Sequence, residues 1–238
     1  MIRAMHLDPN LLAADQPTLE QIEKAATRLL VQALYDYRDQ AQTIFQNEVD
    51  NPADIAEDIT QEALSNLGVS RIDRRLYGKV DLKRACYLFL PDFSVRVALF
   101  VDSKAEKGGS VARIQMSQLS MTVMQVRAGA NITVPGMLPP VLVMDGDSYL
   151  TITLFVKYDY QEIGGAKQLR NIKIASLPNG MLQNLYNPTH ADTIFLVGPD
   201  SPARGEEFRT RLSFPLLRAK ASWRVQTIPM SPHAFVWV

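Results

Sequence analysis

The sequence has one cysteine, no net charge and no long uninterrupted apolar run. Cys86 has no second cysteine to pair with, so the disulfide framework of a small secreted domain is excluded. The 25 basic and 25 acidic residues cancel, so any contact with nucleic acid must come from local clusters of charge. No apolar run approaches the length of a membrane-spanning helix, and the N-terminus lacks a signal-peptide core. These absences predict a cytoplasmic protein that does not enter a membrane.

The chain is long and apolar enough to bury a substantial core. It has 238 residues, of which 47% are hydrophobic, and it contains no repeat or low-complexity tract. A chain of this size fits one large domain. We therefore expect a single domain over residues 1–238.

Helical signals dominate the first part of the chain and strand signals the remainder. Apolar residues at helical spacing predict a helix that begins near Thr18, as the capping residue, and runs to about Asn47. Asn51 followed by proline predicts a second helix that ends near Leu67. Residues 114–126, rich in Met, Gln and Leu, favour a helix over a strand. Further strands are expected over 141–144, 150–160, 169–177 and 208–212. The predicted class is α/β (α+β), with a mixed or largely antiparallel sheet.

An acid and a lysine close one of the apolar strands. Asp102 and Lys104 follow the run 95–101, and residues two apart on a strand point to the same face. The stretches 80–90 and 95–104 both have strand character and are joined by a turn-like segment, so they predict an antiparallel hairpin. If Leu90 pairs with Val95, the register places Asp81 opposite Lys104. Three charged groups then gather at the open end of the hairpin.

This cluster has the chemistry of a magnesium site. Carboxylate oxygens are hard ligands for Mg²⁺, and a nearby ammonium can orient a water molecule or neutralise charge on a phosphate. The cluster therefore predicts metal-dependent phosphodiester hydrolysis, although an acid and a lysine at a strand end are often only a solvated terminus. Asp92 is a second candidate acid, but it lies in the turn, on the order of 25 Å from Asp102 along the strand.

Short blocks along the chain resemble a known family. They are residues 56–61, 73–84, 99–105, 117–119 and 201–206, and they include the Asp102-Ser103-Lys104 triplet. In this order they resemble the PD-(D/E)xK nucleases and, within that superfamily, the SfiI-like type II restriction endonucleases. The similarity spans about residues 19–223. It implies a restriction-endonuclease-like core, in which helices flank a mixed central sheet.

The resemblance implies a role for each member of the cluster. Asp81 resembles the first metal-binding carboxylate, Asp102 the second, and Lys104 the accompanying lysine. The Ser103 carbonyl would be a further Mg²⁺ ligand. Glu57 occupies the helix where related enzymes place an accessory acid, although a helix glutamate is often only structural. Cleavage by this machinery would leave 5′-phosphate and 3′-hydroxyl ends.

Clustered cations are the candidates for contacts with double-stranded DNA. An arginine can bond two acceptors of guanine at once, whereas contacts to phosphate only position the duplex. The candidates for reading bases are Arg204, Arg209 and Arg211. The candidates for contacting phosphates are Arg74, Arg75 and Lys83. For each of these residues alone, ordinary surface charge is the alternative.

The expected function is that of a type II site-specific deoxyribonuclease that cuts both strands of a palindromic site. The resemblance implies an interrupted, GC-rich site and a homodimer or a homotetramer built as a dimer of dimers. Two alternatives remain open at this stage. A non-catalytic DNA-binding or assembly protein would bind without metal, and a repair or recombination nuclease would respond to DNA structure or ends.

Overall fold

The structure is a computed structural model that describes residues 6–49, 51–67, 85–197 and 208–238. Within these ranges the α-helices are α1 (Gln16–Asp36), α2 (Arg38–Asn47), α3 (Pro52–Ser65), α4 (Gln183–Tyr186) and α5 (Phe214–Lys220). The strands are β1 (Ala85–Leu90), β2 (Val95–Glu106), β3 (Val111–Gln115), β4 (Val123–Arg127), β5 (Ala130–Val134), β6 (Val141–Met144), β7 (Asp147–Ile163), β8 (Ala166–Leu177), β9 (Phe195–Leu196), β10 (Arg209–Ser213) and β11 (Val225–Pro229).

The long N-terminal helix begins earlier than expected and is interrupted. Asp15, not Thr18, caps α1, because its side chain accepts from the Thr18 backbone N–H at 3.2 Å. The predicted single helix to Asn47 is also wrong, since Tyr37 separates α1 from α2. The Tyr37 hydroxyl hydrogen-bonds to Glu62 on α3. The spacing of apolar residues within one helix cannot predict this contact, because it joins residues 25 positions apart in the chain. The second helix, α3, is confirmed, with Asn51 as its cap.

A mixed sheet forms the centre of the fold. Its strand order is β1-β2-β7-β8-β11, and β6 also pairs with β7. Only the pairing of β2 with β7 is parallel, and the other pairings in this sheet are antiparallel. Helix α3 packs on β2, and α2 packs on β8. On the other face of the sheet, Phe214 at the start of α5 packs against Phe155, with ring centroids 6.3 Å apart. The predicted α/β class, with helices flanking a mixed sheet, is confirmed.

The helix expected over residues 114–126 is wrong. This segment contributes to β3, passes through a 3-10 turn at Met116–Gln118 and then forms β4. Strand β3 pairs with β10, nearly 100 positions away along the chain, and β10 also pairs with β9. Ala112 and Ile114 are buried, whereas Arg113 and Gln115 between and after them are exposed. This period of two is a strand pattern, and the distant pairing outweighs the local helix preference.

Candidate active site

The expected hairpin is confirmed in the described residues. Strands β1 and β2 are antiparallel, with Leu90 opposite Val95 and Ala85 opposite Phe100. Pro91–Phe93 forms a 3-10 turn, and Ser94 follows it with a φ of 50°. Asp92 is thus a turn residue at the closed end of the hairpin, as expected. Asp102 and Lys104 lie toward the opposite end of β2.

Asp102 and Lys104 form a close, largely buried pair. Lys104 Nζ lies 3.2 Å from Oδ1 and 3.2 Å from Oδ2 of Asp102. The Asp102 side chain is 6% exposed and that of Lys104 is 35% exposed. A buried carboxylate is stable only with polar partners, so the ammonium is part of what holds the charge there. The pair therefore combines a buried carboxylate, that of Asp102, with an ammonium, that of Lys104, which water can reach.

Hydroxyl groups tie the middle residue of the motif to helix α3. Ser103 Oγ lies 2.7 Å from Thr60 Oγ1, and the Tyr158 hydroxyl also lies 2.7 Å from it. Thr60 donates its one hydrogen to the carbonyl of Ala56 at 2.9 Å, so Ser103 and Tyr158 are the donors. Burial raises the pKa of the Tyr158 hydroxyl. These bonds hold α3 against β2.

Glu57 lies on the helix that this network anchors. It is partly buried and comes three residues before Thr60, so the two share one side of α3. The Ala56 carbonyl that Thr60 binds belongs to the peptide group preceding Glu57. The accessory acid suggested by the sequence is therefore on a helix that contacts Ser103, about one helical turn away from that contact.

Several predicted site residues lie outside the described residues. They are Asp81, Arg74, Arg75, Lys83 and Arg204. Within the described residues, no three His, Cys, Asp or Glu side chains come together as a possible metal cluster. Asp102 and the Ser103 carbonyl offer hard oxygen donors of the kind that Mg²⁺ accepts. The donor chemistry of this strand thus fits a divalent metal ion.

The second group of predicted residues lies on the small sheet of β3, β10 and β9. Arg209 and Arg211 are partly buried and share one face of β10, while Thr210 and Leu212 between and beyond them are buried. Arg211 lies opposite Arg113 of β3, and Arg209 lies opposite Gln115. We call the face formed by Arg113, Gln115, Arg209 and Arg211 the basic strand face.

Sequence reasoning missed Arg113 and Gln115 on this face. The signal is present, because residues 112–115 alternate between apolar and polar, but the composition from residue 114 onward predicts a helix. Sequence reasoning also missed Lys157, which lies opposite Lys104 on β7 and is 1% exposed. An isolated lysine in a long apolar strand gives no signal of its own; only the register of the sheet brings it beside β2.

A mixed sheet flanked by helices, with a buried acid and a lysine on alternate positions of one strand, defines the class of restriction-endonuclease-like proteins. The family model of the type II restriction enzyme SfiI matches residues 19–228. SfiI of Streptomyces fimbriatus is 34% identical to this chain over an alignment of 242 positions, gaps included, that covers 95% of this chain and 89% of that protein. The chain belongs to the SfiI family of type II restriction enzymes.

Solved structures agree with this assignment. The crystal structure of tetrameric SfiI bound to cognate DNA matches with a TM-score of 0.85 and 31% identity, over 97% of this chain and 90% of that chain. The structure of BglI bound to its DNA recognition sequence matches with a TM-score of 0.78 over 94% of both chains. At 18% identity, the likeness to BglI shows the fold alone.

Helices long and apolar enough to cross a membrane are not found in the described part of the chain.

Proposed function

We propose that this protein is a Mg²⁺-dependent restriction endonuclease that cuts both strands of an interrupted, GC-rich palindromic DNA site. One restriction-endonuclease-like domain over residues 1–238 would carry this activity. The observation that carries the proposal is the buried Asp102, held 3.2 Å from Lys104 at the end of β2, in a chain of the SfiI family. The products would carry 5′-phosphate and 3′-hydroxyl ends.

The active-site roles follow from charge and position. Asp102, the Ser103 carbonyl and Asp81 would hold the metal. The sequence-based placement of Asp81 opposite Lys104 assumes that Leu90 pairs with Val95, and this pairing is observed. A bound Mg²⁺ supplies positive charge that stabilises the phosphate in the transition state and acidifies water. Lys104, beside Asp102 and open to solvent, would orient the attacking water and stabilise negative charge on the phosphate. Glu57 would assist by orienting water from the α3 side.

The basic strand face is proposed as the base-reading surface. Two adjacent strands can enter the major groove of DNA, and arginine recognises guanine through two hydrogen bonds. Arg209 and Arg211 lie beside Gln115 and Arg113 on this face, which suits a GC-rich target. Arg204 would add a third base contact, while Arg74, Arg75 and Lys83 would contact phosphates.

A palindromic site requires two active sites, one for each strand. Two-fold assembly of the protein supplies them. The SfiI structure that this chain matches is a tetramer bound to cognate DNA. We therefore propose that this protein acts as a homodimer or as a dimer of dimers.

Plasmid DNA incubated with the protein and Mg²⁺ should yield a few discrete fragments. Sequencing of their ends should identify one palindromic sequence and one stagger, and chelation of the metal should stop cleavage until Mg²⁺ is restored. Fragments that depend on DNA ends or branched structures would instead indicate a repair-type nuclease. Binding that needs no metal and never leads to cleavage would indicate a non-catalytic protein.

Replacing Arg211 with glutamine should weaken cleavage of the correct site and relax discrimination at one base pair. Loss of a two-bond contact to guanine costs about 1 to 3 kcal/mol, or roughly 5- to 150-fold in cleavage of that site. The matched variant is Lys83→Gln, which should weaken binding to all sequences alike and reduce its salt dependence. The measurement is cleavage of duplexes that carry each single base-pair change. Equal effects of both variants on every duplex would contradict the assignment of Arg211.

A further inference from the structure

A short turn joins the catalytic strand to the basic strand face. Strand β2, which carries Asp102 and Lys104, ends at Glu106, and β3, which carries Arg113, begins at Val111. Residues 107–110 are therefore the covalent link between the proposed cleavage site and the proposed base-reading surface. The position of this turn decides how the two strands lie relative to each other.

Lys157 holds both ends of the turn. Its Nζ lies 2.5 Å from Glu106 Oε2, at the last residue of β2, and 3.4 Å from the carbonyl of Val111, at the first residue of β3. The Lys157 side chain is 1% exposed. A buried ammonium is costly without partners, so moving either end of the turn would leave this charge poorly compensated. Glu106, at 40% exposure, still reaches solvent.

Asp159 and Lys173 hold the middle of the turn. The Gly108 backbone N–H donates to Asp159 Oδ1 at 2.7 Å. Lys173 Nζ lies 3.3 Å from Asp159 Oδ2 and 3.2 Å from the carbonyl of Gly109. Asn171 donates to the same carboxylate oxygen at 3.3 Å. Both a donor and an acceptor of the turn backbone are thus held by charged side chains of β7 and β8.

The backbone of the turn is shaped around these side chains. Gly109 has a φ of +98°, a conformation that other residues rarely adopt. A Cβ at this position would lie 3.1 Å from Lys157 Nζ. The buried ammonium therefore occupies the space beside the glycine. We call Glu106, Lys157, Asp159 and Lys173 the turn clamp.

The charges of the turn clamp balance, with two lysines against two carboxylates. Lys157 and Asp159 are largely buried, whereas Glu106 and Lys173 reach solvent. An arrangement that separated either buried charge from its partners would leave that charge poorly compensated. Networks of such bonds also behave as a unit. These contacts restrict the turn of residues 107–110, and with it the position of β3 relative to β2.

We propose that Lys157, Asp159 and Lys173 are positioning residues that fix the turn of residues 107–110, so that base recognition on β3 aligns Asp102 and Lys104 on β2 for cleavage. This inference rests on the proposed function, because it assigns roles to the same two strands. Binding energy from the correct sequence would then appear in the rate of the chemical step. An incorrect sequence would bind without aligning the catalytic strand.

The test compares wild type with Lys157→Met and Lys173→Met, using a cognate duplex defined by fragment mapping and duplexes with one changed base pair. We expect Lys157→Met to lower the ratio of kcat/KM for cognate over altered duplex by about tenfold or more, chiefly through kcat on the cognate duplex. The Kd for cognate DNA, measured in Ca²⁺, should change by less than about threefold. Faster hydrogen exchange of the Gly108 amide should accompany the loss. Lys173→Met should also lower the kcat/KM ratio and speed hydrogen exchange of the Gly108 amide.

Lys220→Met is the matched control. Lys220 also joins a carboxylate and a carbonyl, those of Asp192 at 2.6 Å and Leu185 at 3.2 Å, but it lies outside the two strands. The ratio of kcat/KM for cognate over altered duplex in Lys220→Met should equal that of wild type.

Because the Lys173 side chain is 22% exposed, Lys173→Met should fold even if Lys157→Met does not. An unchanged ratio in a folded clamp variant overturns the proposed positioning role while wild-type cleavage stands. Absence of site-specific cleavage by wild type overturns the proposed function itself, and the positioning role with it.

Discussion

Replacing Asp102 with asparagine is expected to abolish DNA cleavage while leaving DNA binding intact. The amide keeps the shape of the side chain but carries no charge, so it is a poor ligand for a divalent metal and a poor partner for the Lys104 ammonium 3.2 Å away. Metal stabilisation of the transition state supplies several kcal/mol, and about 4 kcal/mol corresponds to a loss of roughly a thousandfold in rate. The measurement is single-turnover cleavage of the cognate duplex in Mg²⁺, together with the DNA Kd in Ca²⁺.

Asp81→Asn should reproduce this loss, because both carboxylates are assigned to the same metal. Asp92→Asn is the control, since Asp92 lies in the turn at the closed end of the hairpin. Its cleavage rate should stay within about twofold of wild type, as expected for a surface change away from the site. Full cleavage by Asp102→Asn would refute the active-site assignment. If Asp92→Asn lost cleavage while Asp81→Asn kept it, the carboxylate that binds the metal together with Asp102 would be Asp92 and not Asp81.

The second large effect concerns the buried ion pair between Arg224 and Glu23. Arg224 is fully buried, and its Nη2 lies 2.6 Å from Oε2 of the equally buried Glu23 and 3.2 Å from Oε1 of Glu20. Its guanidinium lies 4.3 Å from the ring centres of Tyr186 and Trp223. Through these contacts one side chain connects helix α1 with α4 and with the segment that leads into β11.

Arg224→Met is expected to lower the free energy of unfolding by about 3 to 5 kcal/mol, because it leaves Glu23 as a buried charge without its cation. Denaturant unfolding at fixed protein concentration measures this change. The double variant Glu23→Gln/Arg224→Met should recover part of the loss, since the glutamine is neutral and can still accept the Asn179 N–H now held at 2.7 Å. Arg218→Met is the control, because Arg218 is exposed and makes a single 3.4 Å bond to a carbonyl.

The loss should also depend on pH. Burial raises the pKa of Glu23, while Arg224 and the Asn179 N–H lower it. Removing Arg224 therefore raises the pKa of Glu23 in the folded protein further above its unfolded value. A folded pKa above the unfolded one adds stability at low pH that is lost as pH rises through the folded pKa. The deficit of Arg224→Met should be largest near pH 7 and smaller below about pH 4, where the unfolded carboxyl is also protonated. A deficit that stays constant across this range would contradict the role assigned to Glu23.

Local sequence patterns were informative where neighbouring residues decide the structure. The apolar run over residues 95–101 and the turn after Leu90 predict the hairpin and its register, and this register favours Asp81 over Asp92 as the partner of Asp102. The cap at Asn51 likewise located α3. These features depend on contacts between residues close along the chain. Local sequence patterns gave the wrong secondary structure where contacts between distant residues determine it. The examples are the helix expected for residues 114–126 and the break in the N-terminal helix at Tyr37.

By itself, the sequence determined the class of fold and the acid–lysine pair on one strand face, because strand alternation and a short turn leave few alternatives for those residues. The family followed from the resemblance of short blocks along the chain to the SfiI-like nucleases. Only the tertiary structure decided what surrounds the pair. The parallel pairing of β2 with β7 places Lys157 opposite Lys104, and the pairing of β3 with β10 places Arg113 opposite Arg211. Both depend on strands that are far apart in the chain, whose register is set by burial of the whole sheet and not by any local motif.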